Sequence, residues 1–401
     1  MTPQATTAVA ALRGTPQAAA STRLRLAIVA DLLEERWPSM DLVADMLLSH
    51  AGAPGLTPVL MRPAFAALLR SGGAPLPTSE RIFHRFWSYP RWLRAQPPAD
   101  VYHIVDHSYA HLASALPAGR VVITCHDTDA FRALLAAGDR ESNLPRFFVR
   151  RVLAGFRRAA AVACVSEHTR GELVAHALVE PGRCIVVPNG VHPSCTPAPD
   201  AAADADAMEL TGPVGGADLL HVGSTIPRKR IDVLLGVLAA VSKQRPGTRL
   251  WRVGGAFTAA QTARAQALGV DHLVTVLPFV SRPVLAALYR RSSLVVLPSE
   301  REGFGLPVIE ALACGTPVVC SDLPVLREVG GRAAEYCPMG EIEAWAARIL
   351  ALLDERDRHV EAWTARREAA VSQARRFTWA GHAAAMQEIY ARVASGAPVT
   401  T

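Results

Sequence analysis

The chain lacks any apolar run long enough to cross a bilayer. Its longest runs, such as Ala159 to Val165 and Leu294 to Leu297, fall far short of the roughly 18 residues that a spanning helix needs. Residues 1–23 are rich in Ala and Thr, carry only Arg13 and Arg23 as charges and have no continuous apolar core of a secretory signal, so they read as a flexible tail. Cysteine is sparse and unpaired in pattern: Cys125, Cys164, Cys184, Cys195, Cys314, Cys320 and Cys337 include no Cys-x-x-Cys and are odd in number. That excludes a zinc ribbon and argues against a disulfide framework, and it predicts buried free thiols in a cytoplasmic protein. No His/Cys/Asp cluster has metal-ligand spacing, so no metal site is expected. What is present is 401 residues, 50% hydrophobic and 19% charged, enough for two globular domains and unlike a disordered chain. Forty-two Lys and Arg against 36 Asp and Glu leave +6, which favours an anionic partner without choosing among nucleotide, phospholipid and nucleic acid.

Short runs that are apolar on both faces recur from Leu24 to Ala30, Thr57 to Met61, Val101 to Val105, Arg120 to Thr124, Ala161 to Cys164 and Cys184 to Val187. Helical patterns such as Met40 to Ser49 separate most of them. This alternation predicts an α/β fold with a doubly wound parallel sheet rather than a sandwich. From His192 to Asp218 the text turns to Pro, Ala, Asp and Gly without apolar periodicity and reads as a linker. The alternation then restarts, with strands at Leu219 to Val222, Arg249 to Val253, Val274 to Leu277, Leu294 to Leu297 and Pro317 to Cys320. The expected division is 24–195 for the first domain, 196–217 for the linker, 218–376 for the second domain and 377–401 for a terminal helix.

In open α/β sheets, ligands sit at the carboxyl ends of strands, where loop amides and helix N-termini face an anion. One junction dominates here. The strand ending at Leu297 runs through Glu302-Gly303-Phe304-Gly305-Leu306-Pro307 into a helix carrying Glu310. The glycines allow close backbone approach and Pro307 suits a first helical turn. Glu302 and Glu310 place two carboxylates at two depths of one cleft, which suits a polyhydroxylated ligand. The sequence from Glu302 to Glu310, followed by Ala311, Ala313, Gly315, Pro317 and Val318, closely resembles the retaining glycosyltransferases of family 4. The resemblance implies a GT-B fold: two Rossmann-like domains facing a central cleft, with a C-terminal helix crossing back to the first. It further implies that Glu302 holds donor-sugar hydroxyls and Glu310 the ribose hydroxyls, while the amides of Gly303, Phe304, Gly305 and Leu306 hold sugar and phosphates.

A second element, His221-Val222-Gly223-Ser224-Thr225-Ile226-Pro227-Arg228-Lys229-Arg230, gathers three cations beside Gly223 at a strand end, as a pyrophosphate leaving group requires. The family's usual arginine position holds Ser224 and its usual glycine holds Arg230, so Lys229 is carried over and Arg228 is taken as the substitute guanidinium. By the same resemblance, the backbone at Phe279 and Val280 meets the nucleobase, and His126 of Thr124-Cys125-His126-Asp127 faces the donor sugar. Val165 to Thr169 and Val187 to Val191 also match. The family needs no metal and no cofactor beyond the nucleotide sugar. Asp204-Ala205-Asp206 spells a metal-binding Asp-x-Asp but lies in the linker and reads as non-functional. Asp31-Leu32-Leu33 stands where relatives carry a glycine pair after the first strand.

Two stretches, 81–94 (RIFHRFWSYPRWLR) and 146–158 (RFFVRRVLAGFRR), mix arginine with aromatics. They read either as a peripheral membrane contact or as amphipathic helices with their apolar faces in the core. The resulting expectation is a cytoplasmic retaining hexosyltransferase, at the inner face of the plasma membrane if those stretches meet lipid. Its donor would be GDP-mannose, favoured by the Pro-Arg-Lys loop, or a UDP-hexose. Its acceptor would be a glycan, a lipid-linked or a small-molecule acceptor in polysaccharide or glycolipid synthesis. The alternatives are a sugar-nucleotide epimerase or glycogen-type synthase, and a non-enzymatic basic binding protein. Nucleic acid is not expected as a partner.

Overall fold

The computed structural model describes residues 23–35, 37–50, 55–65, 78–135 and 146–399. The tail expected at the N-terminus lies outside the described residues except for Arg23. Strands β1 (Leu24–Val29), β2 (Leu56–Met61), β3 (Val101–Ile104), β4 (Val121–Cys125), β5 (Ala161–Cys164) and β6 (Cys184–Val186) form a parallel sheet in the order β2-β1-β3-β4-β5-β6. A second parallel sheet takes β7 (Ala217–Val222), β8 (Thr248–Val253), β9 (Val274–Leu277), β10 (Leu294–Leu297), β11 (Val318–Ser321) and β12 (Ala334–Cys337) in the order β12-β11-β10-β7-β8-β9. Strand order reverses between β1 and β3 in the first sheet and between β7 and β10 in the second. Those are the crevices where ligands bind in such sheets. The central strands are buried along their length, as their two-sided apolar text requires. All seven cysteines are buried free thiols.

One expectation changes. The segment read as an irregular linker contains a helix, Ala201–Thr211, whose first turn is capped by the Asp200 carboxylate accepting from the Ala203 amide at 3.1 Å. Its alanines favour helix but bury too little side chain to show a periodic stripe; Ala203 and Ala207 pack into the second domain's core. Asp204 is a structural residue, 2.7 Å from the Arg290 guanidinium. In the basic-aromatic stretch 81–94, Phe86, Tyr89 and Leu93 are core, and Arg85 is buried against Glu35 with its guanidinium 4.2 Å from the Tyr109 ring centre. Phe83 and Trp87 stay at the surface, stacked at 6.0 Å, with Phe147 of the helix Arg146–Arg157 also exposed. Among the described residues no helix is long and apolar enough to cross a membrane.

The last helix, Trp379–Ser395, leaves the second domain and packs on the first sheet. Trp379, Met386, Ile389, Tyr390 and Val393 join Leu26, Ile28, Val101 and Val122 in one cluster. Ala384 is exposed, and the buried face runs through His382, Ala383, Met386, Ile389, Tyr390 and Val393 at helical period. Polar ties fix its seat: the Tyr390 hydroxyl lies 2.6 Å from His103 Nδ1, His103 Nε2 lies 2.7 Å from Thr124 Oγ1, and Arg120 donates to the Ala394 carbonyl at 2.6 Å.

Burial pushes the His103 imidazole down to about 3, so it is neutral at neutral pH. In the unfolded chain a histidine titrates near 6.5. Between those values the unfolded state binds a proton that the folded state does not, so stability falls as pH drops from about 6.5 toward 3. We expect His103→Gln to be less stable than wild type at pH 7.5, and the gap to narrow by about 1–2 kcal/mol at pH 5 in urea unfolding. A gap independent of pH would contradict a buried neutral histidine.

Candidate active site

The loop after β10 meets the loop after β7 at the second sheet's crevice. The Glu302 side chain is largely covered, with Oε1 2.6 Å from Lys229 Nζ and Oε2 3.6 Å from Arg228 Nη1. Arg228 also donates to the Arg301 carbonyl at 2.9 Å, which fixes its plane. From the other side come residues of the first sheet: Asp129 Oδ2 is 3.0 Å from Arg228 Nε and Asp127 Oδ2 is 3.6 Å from Nη2, while Arg301 Nε lies 3.4 Å from Asp129 Oδ1. Behind Asp127 stands His107, its Nε2 3.4 Å from Asp127 Oδ1 and its Nδ1 3.3 Å from Asp106 Oδ1. The resulting row of Asp106, His107, Asp127, Arg228, Glu302 and Lys229 runs across the boundary between the two sheets.

Burial tends to push each of these acids up, but their partners decide the outcome. Lys229 and Arg228 hold the Glu302 carboxyl below the usual carboxylate range. His107 and Arg228 hold Asp127 well below it. For Asp129, burial and the Asp127 charge outweigh the arginines and raise it. For His107, burial is overcome by Asp127 and Asp106, which raise it. Burial is the main cause lowering His126, whose Nε2 sits 2.8 Å from the Val105 carbonyl at the end of β3.

The two sheets touch at the glycine loop itself. A Cβ on Gly303 would stand 1.6 Å from the His126 carbonyl oxygen, so no side chain fits there. The Ser166 and Thr169 hydroxyls both donate to the Gly303 carbonyl, at 2.9 and 3.1 Å. The amides of Glu167 and His168, at the start of the helix Glu167–Ala175, are taken by the Glu328 carboxylate of the second domain at 2.8 and 3.3 Å. Phe304 is core, its ring 5.8 Å from that of Phe377. Gly305 and Leu306 open the helix Leu306–Ala313 with Pro307 in its first turn.

The structure therefore brings His126, Gly223, Arg228, Lys229, Glu302 and Gly303 together. Glu310 is held apart, accepting from the Tyr289 hydroxyl at 2.9 Å and lying 3.4 Å from Arg282 Nη1, with burial raising its carboxyl. The Phe279 ring projects into solvent and Val280 packs on the second domain's core. Asp106, His107, Asp127, Asp129, Ser166 and Thr169 escaped the sequence reading as site residues. The signal was there: an Asp-His pair follows β3 and a His-Asp pair follows β4, at adjacent strand ends. Asp31, at the end of β1, is buried against Asp106 with neither carboxylate oxygen hydrogen-bonded; burial and the Asp106 charge raise it well above the usual range.

Arg230 occupies the left-handed region at φ 48°, which explains why glycine is usual at that position in the resembling family. Its guanidinium pairs with Asp232 at 2.8 Å, away from Glu302. A left-handed non-glycine residue costs about 1–2 kcal/mol, more than a partly exposed ion pair returns. We expect Arg230→Gly to be as stable as wild type or up to about 1 kcal/mol more so by urea unfolding. A loss above 1 kcal/mol would give Arg230 a structural weight that its geometry does not show.

Two family models match the chain: "Glycosyltransferase Family 4" over residues 49–194 and "Glycosyl transferases group 1" over residues 209–375. The D-inositol 3-phosphate glycosyltransferase of Thermobispora bispora is 34% identical over 232 residues, 55% of this chain and 53% of the relative. That of Segniliparus rotundus is 37% identical over 221 residues, 52% and 47% of the respective chains. The chain thus spans about half the length of the curated relatives it matches. Among solved structures, sucrose-phosphate synthase from Thermosynechococcus elongatus superposes with a TM-score of 0.73 at 19% identity, over 94% of this chain and 100% of that one. Anabaena HepE, solved with UDP and glucose, gives 0.69 at 16% identity, over 92% and 100%. With one family model on each sheet and the same two-sheet architecture in the solved relatives, the chain belongs to glycosyltransferase family 4 and has the GT-B fold.

Proposed function

We propose that the protein transfers a hexose from a nucleoside diphosphate sugar to an acceptor hydroxyl with retention at the anomeric carbon. The observation that carries the reading is the convergence of Lys229, Arg228 and Glu302 beneath the Gly303–Leu306 turn, directly against His126 of the other sheet. In the reaction the acceptor oxygen bonds to the anomeric carbon as the bond from that carbon to the diphosphate oxygen breaks, and the departing phosphate takes the acceptor proton. Charge grows on the diphosphate, and Lys229 and Arg228 are placed to stabilise it with the amides of the helix start. Glu302 accepts from sugar hydroxyls, Glu310 from the ribose, and His126, whose Nε2–H goes to the Val105 carbonyl, accepts at Nδ1 from a sugar hydroxyl. Because Lys229 pairs with Glu302, and Arg228 with Asp127 and Asp129, the diphosphate competes with carboxylates for both cations.

The donor is GDP-mannose on the resemblance of the Pro-Arg-Lys loop, or a UDP-hexose on the precedent of HepE. The acceptor is a glycan, a lipid-linked molecule or a small polyol, the last being what the names of the inositol-phosphate relatives suggest. Incubating the protein with each nucleotide sugar and an acceptor panel, with the product's anomeric configuration read by NMR, tests this. Transfer with retained configuration is expected, and Arg228→Ala or Lys229→Ala should each lower kcat by roughly 100-fold in a folded protein. An inverted product, epimerised donor without transfer, or unchanged turnover in both variants would refute it.

A membrane-facing patch belongs to the same proposal. Phe83, Trp87 and Phe147 are exposed at 46%, 48% and 62%, and the Arg151 guanidinium lies 5.7 Å from the Trp87 ring centre. Rings at headgroup depth flanked by arginines suit an anionic bilayer surface and support a reading in which the enzyme works at the inner face of the plasma membrane. We expect cosedimentation with phosphatidylglycerol vesicles but not with phosphatidylcholine vesicles, and its loss in the triple variant Phe83→Ser, Trp87→Ser, Phe147→Ser. Equal sedimentation of wild type and variant would remove the patch from the account.

A further inference from the structure

Arg252, near the end of β8, is a buried arginine without an acid. Its residue is 0% exposed, and among the described residues no carboxylate lies within ion-pair distance. Its partners are all main-chain carbonyls: Nη2 donates to Gly223 at 2.9 Å and Gly254 at 3.3 Å, Nη1 donates to Gly255, and the guanidinium sits 5.2 Å from the Phe257 ring centre. Nε has no partner. Burial pulls the group down to about 10, which leaves it charged at neutral pH.

An unpaired buried charge is expensive, and a chain normally neutralises it with a carboxylate. Here the neighbours do the opposite. His221, on the adjacent strand, is fully buried with both ring nitrogens unpartnered, and burial, Arg252 and Lys229 push it down to about 3, so it is neutral. The loop that Arg252 braces is the one that begins at Gly223 and ends at Arg228 and Lys229, and Lys229 Cδ passes 3.6 Å from where a Gly223 Cβ would be. Gly254, at φ 130°, lets the Gly223 carbonyl come within 1.9 Å of its missing Cβ, so the two turns and the guanidinium form one tight assembly. The loop is held from its other flank as well, by Gln261 donating to the Thr225 carbonyl at 3.0 Å.

We propose that Arg252 is a positioning residue of the diphosphate site: it fixes the Gly223 turn from below and supplies an uncompensated positive charge under the phosphates of a nucleoside diphosphate. The inference rests on the proposed donor reading. It explains why a charge is kept where a carbonyl brace alone could be made by a neutral amide, and how the loop manages with Ser224 where the resembling family has an arginine. With no acid to cancel it in the low-dielectric strand end, its field reaches a bound anion more fully than a surface arginine's would.

The test compares Arg252→Gln, which keeps a donor and loses the charge, with Arg252→Lys, which keeps the charge and loses the fork. Calorimetry with UDP and UMP and with GDP and GMP gives the diphosphate-to-monophosphate affinity ratio, with thermal unfolding recorded in parallel. Arg252→Gln should lose about tenfold in diphosphate affinity and less in monophosphate affinity, while Arg252→Lys stays within about threefold of wild type on both. A merely structural brace would lower melting temperature and both affinities together. An unchanged ratio in Arg252→Gln overturns the inference. Should the glutamine variant not fold, the lysine variant decides: retained diphosphate affinity supports the charge, and a tenfold loss overturns it. A wild-type protein that binds neither diphosphate defeats the donor reading instead, which separates the two failures.

Discussion

The Arg228 guanidinium stands between carboxylates that come from both sheets, Asp127 and Asp129 on one side and Glu302 on the other. Remove it and three buried or half-buried acids face one another with Lys229 and Arg301 to share. The contact at Gly303 depends on the same closeness, since the His126 carbonyl fills the space where any other residue would put its Cβ. So do the hydroxyls of Ser166 and Thr169 on the Gly303 carbonyl. Electrostatics and van der Waals exclusion therefore meet at one seam, where the proposed chemistry also lies.

The rest of the fold serves that seam. Both sheets reverse their strand order beside it, which opens the crevices into which the loops after β3, β4, β7 and β10 project. The helix Trp379–Ser395 carries the end of the second domain back onto the first sheet, and His103 couples it through Thr124 to β4, the strand that His126 follows. A displacement of this helix would be felt two residues from the His126 backbone. Rigid seating there and a charge-based contact at the cleft are compatible with a cleft that opens about the crossing chain, as the proposed transfer requires for donor entry and product release.

Much of this was legible in the residues. Two-sided apolar runs of four to seven residues marked nearly every strand, because a parallel strand covered on both faces has no polar alternation to blur it. The Glu302 to Glu310 motif marked the turn after β10 that the structure brings to the seam. Lys229 stood out further than its motif suggests, being one of two lysines in a chain that otherwise uses arginine for its cations. Strand β12, with half-buried Glu335 and Tyr336 between buried ends, had no such text. The helix Ala201–Thr211 was hidden because alanine carries helix propensity without a visible stripe. The roles of Asp127, Asp129 and Arg252 were beyond reach of spacing alone, since each depends on a partner more than 25 residues away or on the absence of one.

The central claim is that one set of cations serves both the seam and the diphosphate, so that protein carboxylates and phosphates exclude each other at Arg228. The double variant Asp127→Asn, Asp129→Asn removes the competing charges and leaves Arg228, Lys229 and Glu302 in place. Calorimetric titration with the nucleoside diphosphate that wild type binds should show affinity several-fold tighter in this variant, because the guanidinium no longer has to leave a carboxylate. Affinity that is unchanged or weaker would contradict the account, and would assign Arg228 to holding the two domains together and nothing more.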